Sequence, residues 1–188
     1  MSFFPAYFTL ENRKILLVGG GAIALEKLEK LVEFTHAIDI IAEAFSDEFM
    51  IFAKQYNLSI QKRAYTKGDI NGFDIVIVAT DTVVLHRAIY EESRTTRVLV
   101  NSVDDTAYCD FIFPSYIKRG DLTISVSTGG ASPAMAKRLR LYLEKLIPPQ
   151  IEDFLAEMRA LRKTMKKGKT RMRFFEQKSD SFMIKYFK

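Results

Sequence analysis

Cysteine is nearly absent from this sequence: Cys109 is the only one. A scaffold held by internal disulfides is therefore excluded, as is a thiolate metal centre, which needs several sulfurs. One free thiol fits a reducing compartment, so a cytoplasmic location is expected. Histidine is almost as scarce. His36 and His86 stand far apart without ligand-like spacing, so no resident metal is expected and a Ser-His-Asp arrangement has no support. His86 reads as a helix-surface residue. No apolar run reaches the roughly 18–20 residues of a membrane span. The start, Met1-Ser2-Phe3-Phe4-Pro5, lacks the basic-then-apolar pattern of a signal peptide. Internal repeats and low-complexity tracts are also missing.

What is present is an ordinary globular composition. The 188 residues are 48% hydrophobic with a mean hydropathy of −0.02, enough for one good core and a smaller appended unit. The net charge of +5 conceals an asymmetry. Residues 1–133 carry 13 Lys+Arg against 17 Asp+Glu, whereas residues 134–188 carry 15 against 6. A basic C-terminal third points to an anionic partner: nucleic acid, an acidic membrane surface, or a small molecule rich in carboxylates or phosphates. A solvated helical surface is the plainer alternative.

The pattern along the first hundred residues alternates strand and helix. Lys14–Val18 is a continuous apolar run ending in glycines, as a strand buried on both faces should be. The stretch to Phe34 is an amphipathic helix, Ile38–Ile41 a second strand, and Ser46-Asp47 caps a helix running to about Tyr56. Ser59–Arg63, Phe73–Thr80 and Val98–Ser102 read as further strands, with a helix over Val83–Ser93. Such alternation predicts an α/β fold: a parallel, Rossmann-like sheet with helices on both faces. Beyond residue 105 the pattern changes. Ser115–Lys118 and Leu122–Ser127 flank Arg119-Gly120-Asp121 as an antiparallel hairpin. Ser132-Pro133 then opens a helix to about Leu146, whose apolar stripe is Met135, Leu139, Leu143 and Leu146. Pro148-Pro149 ends it, a helix spans Gln150 to about Met165, and Lys166–Lys188 is basic and aromatic.

Gly19-Gly20-Gly21-Ala22-Ile23-Ala24 matches the dinucleotide fingerprint in the right setting, after a buried strand and before an amphipathic helix. Gly19 permits the tight turn, Gly21 lets backbone approach a pyrophosphate, and the helix N-terminus attracts its charge. Glu43 stands 22 residues after Gly21, at the end of the second strand, where an acid would bind a ribose 2′-hydroxyl and favour NAD over NADP. It could equally begin a loop. Thr80 and Asp81 fall at the carboxyl end of the fourth strand, where ligands of such sheets bind; Asp81 could instead be only the N-cap of the next helix. Asn101-Ser102-Val103-Asp104-Asp105 ends the fifth strand, and a carboxylate there could accept a proton.

These residues together resemble the precorrin-2 dehydrogenase family, the siroheme synthase N-terminal module. The likeness runs from Phe4-Pro5-Ala6-Tyr7-Phe8 through Val18–Gly21, Ala79-Thr80-Asp81, Asn101–Asp104 and Phe111–Ser115 to Ser125–Pro133. It implies a Rossmann domain over residues 1–113, a dimerisation region over 114–147 and a helical C-terminal domain over 148–188. It also implies NAD-dependent oxidation of precorrin-2 to sirohydrochlorin in siroheme biosynthesis. Some members add ferrous iron insertion, a ferrochelatase reaction in which Fe²⁺ is a substrate. The family's key aspartate matches Asp104, as base or orienting group; its NAD contacts match Ala22, Ile23, Glu43 and Ala44. Two departures stand out: Glu43 replaces a frequent Pro, and Thr128 stands where some members have Ser. A methyltransferase domain such as trifunctional members carry is not expected, so the earlier methylations fall to another protein.

Precorrin-2 carries eight carboxylates, which suits the basic third. Substrate-binding candidates are Asn101 and Thr128 in the matching motifs, the Ser132 helix start, and Lys137 and Arg138. A homodimer is expected, with neither nucleic acid nor membrane as partner. The competing possibility is an NAD-sensing or nucleic-acid-binding Rossmann protein with a basic tail.

Overall fold

The computed structural model describes Phe3–Phe187; the signal-peptide reading rests in part on Met1 and Ser2, outside the described residues. The described chain divides into two compact units, one over Phe3–Ile112 and the other from Phe113 onward.

In the first unit, five short strands form one parallel sheet. They are β1 (Ile15–Val18), β2 (Ile38–Ala42), β3 (Ser59–Lys62), β4 (Ile75–Val78) and β5 (Leu99–Ser102), in the order β3-β2-β1-β4-β5. β1 lies at the centre with every residue buried, which is why its sequence is an unbroken apolar run. Helices α1 (Ala22–Val32), α2 (Asp47–Gln55) and α3 (Val83–Ser93) connect the strands. The order runs outward from β1 to β3, then reverses through β4 to β5. Right-handed crossovers therefore put α1 and α2 on one face, where they touch each other, and α3 on the opposite face. The Rossmann-like fold expected from the alternation is the one found.

Register aligns the strand ends. Val18 pairs with Ile41 and with Val78, and Val78 pairs with Ser102. The segments after β1, β2, β4 and β5 thus leave from one edge of the sheet, and the order reverses between β1 and β4, where a crevice is expected.

One sequence expectation fails. His86 is not on the helix surface; it is 3% exposed, and its Nε2 lies 2.9 Å from the Thr80 carbonyl. With Ile89 and Ser93 it forms the buried face of α3, so polar side chains occupy positions that periodicity reserves for apolar ones.

In the second unit, β6 (Ser115–Arg119) and β7 (Leu122–Val126) pair antiparallel around Gly120-Asp121. Helix α4 (Pro133–Leu146) packs on both strands. Its start follows the expected device: Ser132 Oγ accepts the Met135 N–H at 3.2 Å and Pro133 takes the first position. Ser132→Ala should destabilise the protein by about 1 kcal/mol in denaturant unfolding. Arg119 ties the end of β6 to the carbonyls of Glu144 and Ile147. Helices α5 (Ile151–Thr164) and α6 (Lys169–Tyr186) meet through a Phe154–Phe182 ring stack at 4.3 Å. The basic, aromatic stretch after residue 166 is mostly one 18-residue helix, with Phe175 and Phe182 buried. Among the described residues no helix is long and apolar enough to cross a membrane.

Candidate active site

The glycine turn is built by close approach. A Cβ on Gly19 would stand 2.2 Å from the Ala79 carbonyl oxygen, and Gly19 has φ +134°, a conformation open to glycine. A Cβ on Gly20 would stand 2.3 Å from the Ala44 carbonyl oxygen, and Gly20 O accepts the Ser46 N–H at 2.9 Å. The turn is therefore pressed between the loops that carry Ala44 and Thr80. Gly21 differs: a Cβ there meets nothing within 4 Å, and its φ of −94° is ordinary. It faces open space at the mouth of the crevice.

Behind Gly21, α1 begins with no side-chain cap and no acidic residue in its first turn. The backbone N–H groups of Ala22 and Ile23 are thus left for an anion, with the helix dipole adding to their pull. Helix α2 starts quite otherwise. Ser46 Oγ accepts the Phe49 N–H and Asp47 and Glu48 fill its first turn, so it repels anions. This contrast, with the vacant space at Gly21, fits a bound pyrophosphate at α1.

The other dinucleotide candidates lie on the same edge. Glu43 and Ala44 are exposed beside Gly20. Thr80 is half-buried and its carbonyl is fixed by His86, while Asp81 is exposed. The N-cap of α3 is Thr82, so Asp81 does not serve as a cap.

Asp104 follows β5 on this edge. It is exposed and has φ +65°, a left-handed conformation that Asp tolerates better than most residues. Asp105 beside it caps a 3₁₀ turn over Thr106–Tyr108 by accepting the Ala107 N–H. Asn101 is buried, and its amide nitrogen donates to the Phe111 carbonyl at 2.8 Å, so the side chain braces the returning segment. Sequence reasoning missed the rest of this bracing. Asp110 accepts the Val100 N–H at 2.8 Å and pairs with Arg94, whose Nη2 lies 2.6 Å away. The Cys109 thiol sits against Ser102, and burial pushes it above its ordinary value, which keeps the sulfur protonated at neutral pH. A long-range pair such as Arg94 with Asp110 leaves no local sequence signal. Among the described residues, the buried Ser102 Oγ and His86 Nδ1 have no hydrogen-bond partner.

The remaining candidates belong to the second unit and cluster at the start of α4. Thr128 Oγ1 accepts the Ser132 N–H at 3.0 Å, closing a turn through Gly129 and Gly130, both at positive φ. Lys137 and Arg138 are exposed in the following turn of the helix. Among the described residues no group of three or more His, Cys, Asp or Glu gathers as a metal site.

A family model described as "Putative NAD(P)-binding" matches residues 6–115. The chain belongs to this family. A second model, "Sirohaem biosynthesis protein central", matches residues 119–146. Similarity to siroheme synthases extends over nearly the whole chain. It is 32% identical over 181 residues to that of Actinobacillus pleuropneumoniae serotype 3, covering 95% of this chain and 37% of that protein. It is 30% identical over 188 residues to that of Pseudoalteromonas translucida, covering 98% and 40%. The chain thus spans about two fifths of the length of these relatives. A solved structure titled "SirC, precorrin-2 dehydrogenase" shares the fold, with a TM-score of 0.75 and 24% identity over 90% of this chain and 85% of that one.

Proposed function

We propose that this chain is an NAD-dependent dehydrogenase that oxidises precorrin-2 to sirohydrochlorin. The observation that carries the reading is the uncapped, acid-free start of α1 on the same sheet edge as Asp104. Kinship with siroheme synthases and the fold of a precorrin-2 dehydrogenase support the substrate.

NAD held at the α1 start by Gly21, Ala22 and Ile23 would supply the hydride acceptor for the macrocycle. The protein binds, orients and takes up the proton. Ala22 and Ile23 hold the pyrophosphate through backbone N–H groups, Gly21 leaves room for it, and the Glu43 carboxylate accepts from the ribose, favouring NAD over NADP. Ala44, Thr80 and Asp81 line the rest of the cofactor edge. The Asp104 carboxylate takes the proton that leaves with the hydride, giving sirohydrochlorin, NADH and H⁺. Thr128, Ser132, Lys137 and Arg138 supply donors and positive charge for the substrate carboxylates, and Asn101 fixes the segment that follows the Asp104 loop. In some relatives by family resemblance the product then takes up Fe²⁺; an anaerobic assay with sirohydrochlorin and Fe²⁺ decides that activity for this chain. The division proposed is a cofactor domain over 1–113, a dimerisation region over 114–147 and a helical domain over 148–188, in a cytoplasmic protein whose single thiol stays reduced.

The dimer rests on α4. Met135, Leu139, Tyr142 and Leu146 follow one another along one helix face at 51, 42, 62 and 50% exposure, an apolar stripe of the kind that marks an interface. Leu139→Glu should convert a dimer into a monomer in sedimentation equilibrium, and a wild-type monomer would remove the assignment.

The reading is tested by incubating precorrin-2 with NAD⁺ and protein without oxygen and following NADH. Protein-dependent NADH formation supports it; its absence refutes it.

A further inference from the structure

The loop that carries Asp104 is closed at its neck by one side chain. Cys109 lies seven residues beyond Ser102, and its Sγ accepts the Ser102 N–H at 3.2 Å. The same sulfur donates toward the Ser102 carbonyl at 3.1 Å, with the Asp105 carbonyl also in reach at 3.3 Å. A thiol that both accepts from and donates to one residue's peptide groups joins the two ends of the loop.

We propose that Cys109 is a positioning residue, whose thiol clasps the loop over residues 102–109 and so sets where the Asp104 carboxylate stands. The proposal rests on the dehydrogenase reading of Asp104 given above.

Four observations support it. Asp104 holds a left-handed conformation, which Asp tolerates and which the loop around it keeps in one place. Other braces surround the clasp: Asn101 reaches Phe111 and, at 3.6 Å, the Cys109 sulfur itself, while Asp110 reaches Val100 and Arg94 just beyond the loop. Within the loop, the backbone adds a bond from Asp105 N–H to Ser102 O at 3.3 Å and one from Tyr108 N–H to Asp105 O at 3.2 Å. Both converge on carbonyls that the thiol also addresses. Cys109 is 8% exposed, so its S–H finds few competing waters.

The plain alternative is that Cys109 only fills core volume. Two variants separate the cases: Cys109→Val fills the space without hydrogen bonds, and Cys109→Ser keeps donor and acceptor in a smaller side chain. Amide hydrogen exchange in the ligand-free protein is read beside kcat and KM for NAD⁺ with precorrin-2. In Cys109→Val, exchange over Val103–Tyr108 should be about tenfold faster while the Gly19–Ile23 turn exchanges as in wild type. Its kcat should fall by about tenfold or more with KM for NAD⁺ unchanged. Cys109→Ser should recover most of both.

Unchanged loop exchange in Cys109→Val overturns the clasp. So does the reverse order, with Val like wild type and Ser impaired, or an equal rise at the glycine turn, which marks lost packing. A loosened loop with unaltered kcat overturns the positioning role. If the wild-type protein forms no NADH from precorrin-2, the dehydrogenase reading fails, and the exchange data decide the clasp without it.

Discussion

Asp104→Asn should lower kcat for precorrin-2 oxidation by about 10³-fold, within the range that a positioned general base contributes. NAD⁺ affinity should not change, because the pyrophosphate and ribose contacts proposed above lie after β1 and β2. Asparagine is the informative replacement. It has nearly the shape of aspartate and shares its tolerance of the left-handed region, so the φ of +65° is kept and only the charge is lost. Alanine would add backbone strain to the loss of the proton acceptor and blur the two. Single-turnover reduction of NAD⁺ and calorimetric titration of NAD⁺ provide the two measurements. An Asp104→Asn variant that oxidises precorrin-2 at the wild-type rate would remove Asp104 from the chemistry.

The second large effect separates two glycines that the fingerprint treats alike. Gly19→Ala places a Cβ 2.2 Å from the Ala79 carbonyl oxygen at a φ of +134°. Backbone strain and overpacking together should cost roughly 3–5 kcal/mol, a large share of the roughly 5–15 kcal/mol that stabilises an ordinary domain. The midpoint of thermal unfolding should fall by roughly 6–20 °C, and much of the protein should be insoluble. Gly21→Ala meets nothing within 4 Å at an ordinary φ, so the fold should be untouched and unfolding should stay within about 2 °C of wild type. The added methyl instead occupies the space where a pyrophosphate approaches backbone, so Kd for NAD⁺ should rise about 10–100-fold. Thermal unfolding and NAD⁺ titration on both variants check the pair. Equal damage to stability from the two substitutions would contradict the assignment of Gly21 to the ligand.

How far the sequence could be read follows from the range of the interactions involved. β1, the Ser46 and Ser132 caps and the hairpin were legible because each depends on residues within a few positions of one another. The parallel, Rossmann-like sheet was legible at one remove, since right-handed crossovers leave few ways to thread alternating strands and helices, but its strand order came only with the structure. His86 was misplaced because a polar ring on the buried face of α3 answers to a carbonyl in the preceding loop, which periodicity cannot see. Helix α6 was not resolved because Lys and Arg stand between its buried phenylalanines and blur its apolar face. The bracing of the Asp104 loop was hidden for a different reason. Cys109 and Asp110 act through Ser102, Val100 and Arg94, and only the folded sheet edge brings these together. Composition had assigned Cys109 no more than a compartment.

The site candidates show the same division. Gly19, Gly21, Ala22 and Ile23 declare themselves by spacing, and the structure adds why the start of α1 suits an anion and that of α2 does not. The capping of each helix start decides this, and the acids at Asp47 and Glu48 close the second. For Thr128, Ser132, Lys137 and Arg138 the sequence supplied charge and a helix start, and the structure adds the Thr128–Ser132 bond that shapes the turn.

The central claim is tested most directly by mixing purified protein, precorrin-2 and NAD⁺ without oxygen and measuring both products. One NADH per sirohydrochlorin, formed at a rate proportional to protein and lost in Asp104→Asn, is the expected result. No NADH, or NADH that appears without precorrin-2, would contradict it.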